Sequence, residues 1–354
     1  YDRFMKKPSL IILLLIVVAL VGFAIFNKKS GNSELTQIRV GWQVAWVPQG
    51  QLVGIMKNTN VLELNGLAGE FKKFSFGGPL TEAALANEVD VIFVGSGPAL
   101  SLTAKSEDWK VVSRLEDYRN AIIVPANSGI KNISDLKNKV IASPFGSTSY
   151  ILGTIALQKA GLDLEKDVSL RNVDVLEQAN IIQKGTPESW GEISAFTSWD
   201  PTPAQFEELG KARVLVLLPD VGVVVMSKKF YEEHPTEAKN FLKALIQSYD
   251  FYYKNKDVAD EWYLKDALVN FSKKVLETSA SLERNNKAKD VKEITLTLEE
   301  PDITRIQEEA NHAFTLKILK KQLILNEITD QTFIKLAEDE IEKGNFSKLI
   351  RATQ

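Results

Sequence analysis

Twice in this 354-residue chain a short apolar run stops at a loop of small residues that opens directly into a helix, and this pattern limits the folds open to it. The run at 89–94 ends in Gly95-Ser96-Gly97-Pro98 before a helix over 99–105. The run at 140–142 ends in S-P-F-G-S-T-S before a helix on which Ile151, Leu152, Ile155 and Ala156 share one face, with Gly161 suited to a left-handed stop. Strands that alternate with single helices build βαβ units and a mostly parallel sheet.

The same alternation covers most of the chain. Strands are expected at 38–42, 71–76, 89–94, 110–115 and 121–124, with helices at 50–57, 79–86 and 99–105. After Pro125 it starts again: a short helix at 133–137, the strand at 140–142 with its helix, strands at 168–173, 192–197 and 213–217, and helices at 176–183 and from 201 to 209. Residues 219–222 are expected to cross back. From 228 onward helical periodicity dominates, in 238–253, 303–325 and 332–349, with a charged loop at 281–293. The length exceeds one usual core. The expected fold is α/β and two-lobed: residues 38–124 form lobe 1, 125–221 lobe 2, and 222–354 the return to lobe 1 plus C-terminal helices.

Residues 10–26 carry no charge and are flanked by Arg3, Lys6 and Lys7 on one side and Lys28 and Lys29 on the other. The run is short for a spanning helix and long for the apolar part of a signal peptide. Its length favours an uncleaved transmembrane anchor over a cleaved signal. Residues 1–9 then form a cytoplasmic stub, 27–37 a flexible linker, and the body lies outside the cytoplasm, periplasmic or extracellular, held at the cell membrane. The chain has no cysteine, which excludes disulfides, thiolate metal sites, a cysteine nucleophile and a lipid-bearing cysteine.

In open α/β sheets ligands bind beyond the carboxyl ends of the strands. Loops expected at such ends carry Gln43 and Trp46, Gly78 and Pro79, Ser96 and Gly97, Ser147, Thr148 and Ser149, and Trp199 with Asp200. Ser147 to Ser149 sit at a helix start, where free N–H groups, the helix dipole and hydroxyl donors can hold an anion without lysine or arginine. Plain N-capping accounts for the same hydroxyls. Trp199 suits lobe packing as well as a ligand platform, and Asp200 suits a helix cap better than an ammonium partner.

The order of these motifs carries a resemblance. F-S-F-G-G-P-L-T-E-A-A-L-A-N-E-V-D-V-I-F-V-G-S-G-P-A-L, then S-G-I-K-N-I-S-D-L-K-N-K-V-I-A-S-P-F-G-S-T-S-Y, then S-W-D-P resemble the solute-binding proteins of nitrate, sulfonate and taurine ABC importers. The resemblance implies a two-lobed periplasmic-binding-protein fold of the second type that closes on a small ligand and passes it to a permease and its ATPase. It places the matching loop positions at Gly78, Pro79, Ser96, Gly97, Ser147 to Ser149, Trp199 and Asp200. Tyr150 stands where many relatives carry histidine, and no arginine lies in any of these loops.

The function expected is capture of a small anion such as a sulfonate, taurine or nitrate, without catalysis and without a cofactor. Two other readings share the fold or the anchor: an enzyme like those of pyrimidine synthesis or the menaquinone pathway, and an anchored sensory ectodomain. His234 and His312, the only histidines, lie outside the candidate loops, and no phosphate loop, dinucleotide fingerprint or metal-ligand cluster is present. A net charge of −3 gives no support to nucleic-acid binding.

Overall fold

The computed structural model describes residues 35–347 and 350–353. The expected anchor at 10–26 and most of the linker lie outside these, and among the described residues no helix is long and apolar enough to cross a membrane. Eight strands form one sheet: β1 Thr36–Gln43, β2 Leu67–Phe74, β3 Val91–Gly95, β4 Trp109–Pro125, β5 Lys139–Ser143, β6 Val168–Asn172, β7 Ile193–Trp199 and β8 Ala212–Ser227. Their spatial order is β2-β1-β3-β8-β4-β7-β5-β6.

The two strands expected at 110–115 and 121–124 are one. β4 runs seventeen residues through E-D-Y-R-N and pairs antiparallel along its whole length with the sixteen-residue β8. One end of this ribbon pairs β3 through β8, and the other pairs β7 through β4. The sheet is therefore mixed. β1, β2 and β3 are parallel to one another, as are β5, β6 and β7, but the centre is antiparallel. The reason is topological: β4 carries the chain from one half of the sheet into the other, and β8 brings it back.

All five residues of β3 are buried, as an unbroken apolar strand covered by helices on both faces should be. On one face Trp42, Leu52 and Phe93 pack against Phe241, Leu242 and Leu245 of the helix Pro235–Lys254. On the other, Leu80, Ile92 and Leu100 meet Ile306 of the helix Glu300–Thr315. The far half has smaller clusters around Phe196 and Phe206 and around Ile141 and Leu157.

Helix 303–325 is shorter than its periodicity predicts. It stops at Thr315, Lys317 takes a left-handed φ of 58°, and the N–H groups of Ile318 and Leu319 both return to Ala313 O. The apolar residues beyond, Leu319 and Leu323, reach the same core by a turn. The charged segment 281–293 is anchored rather than free. Glu283 accepts from the buried Arg114 on β4 at 2.5 Å, and Arg284 bridges Asp117 and Asp302.

Candidate ligand site

The carboxyl ends of β1, β2 and β3 face those of β5 and β7 across the β4–β8 ribbon, and a cavity of ≈ 20 Å³ lies between them. Gln43, Trp46, Gly77, Gly95 and Pro98 line it from one side, Ser147, Thr148 and Trp199 from the other, and Tyr118 and Asn120 of β4 from the crossing. A space of this size holds about one water molecule, so a tetrahedral anion with an organic tail enters only when the halves part.

The two halves touch across the cleft through specific bonds. Trp199 Nε1 donates to Ala45 O at 2.8 Å, and Gly97 N donates to Thr148 Oγ1 at 2.9 Å. Glycine is required at 97 for this approach, because a Cβ there would stand 2.9 Å from the Thr148 backbone. The helix Val47–Asn58 starts three residues earlier than expected, and Gln49 organises the loop before it: its Nε2 donates to Gln43 O and Trp46 O. Gln43 Nε2 in turn donates to Phe93 O at 3.0 Å.

At the helix Thr148–Lys159, Ser147 is the N-cap, accepting from Tyr150 N at 3.2 Å, and its hydroxyl also meets Ser149 Oγ at 2.9 Å. Capping and cavity lining thus coexist in one residue. Trp46 and Asn120 differ from these. Each is at least 98% buried and lines the cavity, yet Trp46 Nε1 and both polar atoms of the Asn120 amide make no hydrogen bond of normal geometry. Buried polar groups are almost always paired, so unpaired donors on residues that line one small space mark it for a polar guest.

Of the residues expected at the site, Gln43, Trp46, Ser147, Thr148 and Trp199 line the cavity. Gly78 and Pro79 give way to Gly77, and Ser96 and Gly97 to their neighbours Gly95 and Pro98, at the starts of the helices Gly77–Leu85 and Ser96–Lys105. Ser96 and Gly97 support Thr148 from beneath. Ser149 is buried behind Ser147. Tyr150 stacks on Phe145 at 4.5 Å, away from the cavity. His234 and His312 also lie apart from it, half-buried rather than on the open surface. Tyr118 and Asn120 were not expected, since the polar string E-D-Y-R-N reads as a break between strands.

Asp200 is not among the lining residues. Its Oδ1 accepts from Ala204 N at 3.0 Å, the capping role, and its Oδ2 lies 3.4 Å from Arg119 Nε. Burial pushes its carboxyl up to about 6 against the pull of Arg119. The folded state then binds the proton more tightly than the unfolded one, so stability is fully present below about pH 4 and is lost as pH rises through about 6. Asp200→Asn keeps an acceptor for Ala204 and leaves Arg119 paired with Glu207. The variant should gain on the parent across that window, by ~2–3 kcal/mol at neutral pH, read from urea melts at several pH values. An equal gain at pH 4 and pH 7 would show that charge is not the cause.

A family described as ABC transporter, phosphonate, periplasmic substrate-binding protein matches residues 78–183. A Bacillus subtilis (strain 168) protein whose name assigns it the binding of aliphatic sulfonates is 27% identical, over 96% of this chain and 99% of its own length. The chain is similar to the solute-binding proteins of sulfonate- and taurine-type ABC importers, as its motifs implied. The taurine-binding periplasmic protein of Escherichia coli (strain K12) is 25% identical over 68% of this chain and 73% of its own. By fold, the alkanesulfonate-binding protein of Xanthomonas axonopodis pv. citri bound to MOPS superposes with a TM-score of 0.68 at 19% identity, over 84% of this chain and 99% of that one. The fold is that of the periplasmic binding proteins. The same fold also carries a desulfurization enzyme, at 14% identity and a TM-score of 0.63, over 86% of this chain and 99% of that one.

Proposed function

We propose that this chain is the extracytoplasmic solute-binding component of an ABC importer and that it closes its two halves around the anionic head of a small sulfonate. The observation that carries the reading is the pair of unpaired buried groups, Trp46 Nε1 and the Asn120 amide, opposite the start of the helix Thr148–Lys159. Indole and amide N–H, the Ser147 and Thr148 hydroxyls and the helix-start N–H groups supply donors in the number a sulfonate's three oxygens need. Trp199, which lines the cavity, covers the organic part. Names of the relatives by sequence speak of binding, and binding by closure without covalent change fits these side chains.

Calorimetry on the purified protein with ethanesulfonate, taurine and nitrate tests this. One site per chain is expected, with the organic sulfonates bound more tightly than nitrate and recovered unchanged. No heat and no thermal shift with any of the three would overturn the reading, and a chemically altered sulfonate would move it to the enzyme class. Residues 10–26 are proposed to hold the body at the membrane beside the permease, on the strength of their uncharged run. Protease added to intact cells, or to spheroplasts where an outer membrane is present, should then remove the body; full protection would contradict the arrangement.

A further inference from the structure

Behind the hydroxyls of the cradle lie two buried carboxyl groups that the binding reading leaves unused, Asp220 on β8 at the crossing and Glu309 on the helix Glu300–Thr315. Ser96 Oγ stands between them, 2.8 Å from Asp220 Oδ2 and 2.5 Å from Glu309 Oε2, and 3.4 Å from Thr148 Oγ1. Tyr118 Oη meets Asp220 Oδ2 at 3.4 Å. Thr148 and Tyr118 line the cavity, so a single layer of hydroxyls separates it from the carboxyls.

Proton accounting fixes the charge of this cluster. Ser96 has one proton for two carboxyl groups, Tyr118 reaches only Asp220, and among the described residues no lysine or arginine forms an ion pair with either carboxyl. The neighbouring cation is Arg305, on the same helix as Glu309, and its guanidinium points to Pro219 O. Tyr118 from β4, Ser96 from its helix and Thr148 from the helix opposite contribute only hydroxyls. Two buried carboxylates sharing one hydroxyl cannot both ionise, so one keeps its proton. Burial pushes both carboxyls up, and the neighbouring Asp220 adds to the push on Glu309, which rises well above the usual range, so we assign the proton to Glu309.

We infer that the Asp220–Glu309 pair sets the charge the cradle accepts: one negative charge held behind Thr148 admits a head group of charge −1 and turns away one of charge −2. This rests on the sulfonate reading above and narrows it. No cation among the lining residues offsets a second charge on the guest. An alkylsulfonate carries a single charge at every physiological pH, whereas an alkylphosphonate of the same tetrahedral shape loses its second proton near neutrality. Two like charges roughly 6–12 Å apart, across the layer of hydroxyls, at an effective dielectric of about 20 make that loss worth about ten- to a hundredfold in affinity. The chain thus departs from the phosphonate specificity in the description of the family matched at 78–183.

The experiment is calorimetric affinity for ethanesulfonate and ethylphosphonate from about pH 5.5 to about 8.5, on the full chain, Glu309→Gln and Asp220→Asn/Glu309→Gln. In the parent, ethanesulfonate affinity stays level while ethylphosphonate affinity falls as its dianion forms. Glu309→Gln, which makes the neutral partner permanent and keeps the Asp220 charge, follows the parent's ratio. The double variant flattens the phosphonate profile and shrinks the sulfonate preference at high pH about tenfold. Phosphonate bound as well at high as at low pH by the parent overturns the inference without any variant, and so does a folded double variant that keeps the parent's ratio. A parent that binds neither ligand overturns the sulfonate reading itself, a result distinct from both.

Discussion

Replacing Asn120 with leucine is expected to stabilise the free protein while weakening its hold on an anion by at least about tenfold. The backbone of Asn120 is paired on both sides, to Trp199 of β7 and to Leu218 of β8, so the side chain's direction is set by the sheet. Its amide lies beside the Tyr118 hydroxyl but makes no hydrogen bond of normal geometry. A buried polar group left unmatched costs ~1–3 kcal/mol, and leucine of similar shape removes that cost. An amide that donates to a bound anion is worth ~1.5–3 kcal/mol there, or roughly ten- to a hundredfold in affinity. The two readouts therefore move in opposite directions. A variant that melts earlier and binds as tightly as the parent would show that Asn120 supports the sheet and does not touch the ligand.

The second large effect is steric. A Cβ at Gly95 would lie 2.4 Å from Thr148 Oγ1 and 2.5 Å from Tyr118 Oη, both in the cavity wall. Gly95 has a φ of −71°, open to any residue, so alanine brings no backbone strain of its own. What it brings is a methyl group where the two halves meet. Overpacking of this kind costs ~1–3 kcal/mol and falls on the closed state, which predicts about a ten- to hundredfold loss of affinity. Gly97→Ala should be worse, because its Cβ meets the Thr148 backbone and not the end of a side chain. An affinity ranking of Gly97→Ala below Gly95→Ala below parent, with dissociation constants rising in that order from the parent, checks the argument. Equal affinities for all three would mean that the halves do not close on the ligand along this seam.

These residues also show what a sequence discloses. The strand ends of the first half and the hydroxyl cap at Ser147 were legible because each is a local pattern: an apolar run, a glycine, a helix-opening proline or serine. Gly77, Gly95 and Pro98, which line the cavity, belong to the loops read from the sequence but stand one position from the residues singled out there, since where a loop becomes a helix depends on how the chain packs and not on its letters. Asn120 and Tyr118 were hidden for a different reason. A half-polar strand is normally an exposed one, and Glu116, Tyr118 and Asn120 are buried because the β4–β8 ribbon passes beneath the cavity and the segment 281–293. Asp220 and Glu309 had no local signal as a pair, because the helix that periodicity does predict meets β8 only through tertiary packing.

The ribbon has one more consequence, for the order in which the molecule can be made. Trp109 pairs with Ser227 and Pro125 with Ala212, so the partner of β4 is synthesised on the order of a hundred residues after it. The intervening chain contains the whole far half with its own clusters around Phe196 and Ile141, and these contacts close early on a ribosome that delivers several residues each second. The near half cannot finish. β3, buried on both faces in the completed protein, is left as an apolar sheet edge until β8 arrives to cover it. Late completion of the first-made half means that the sheet is whole only once the chain has been made as far as Ser227.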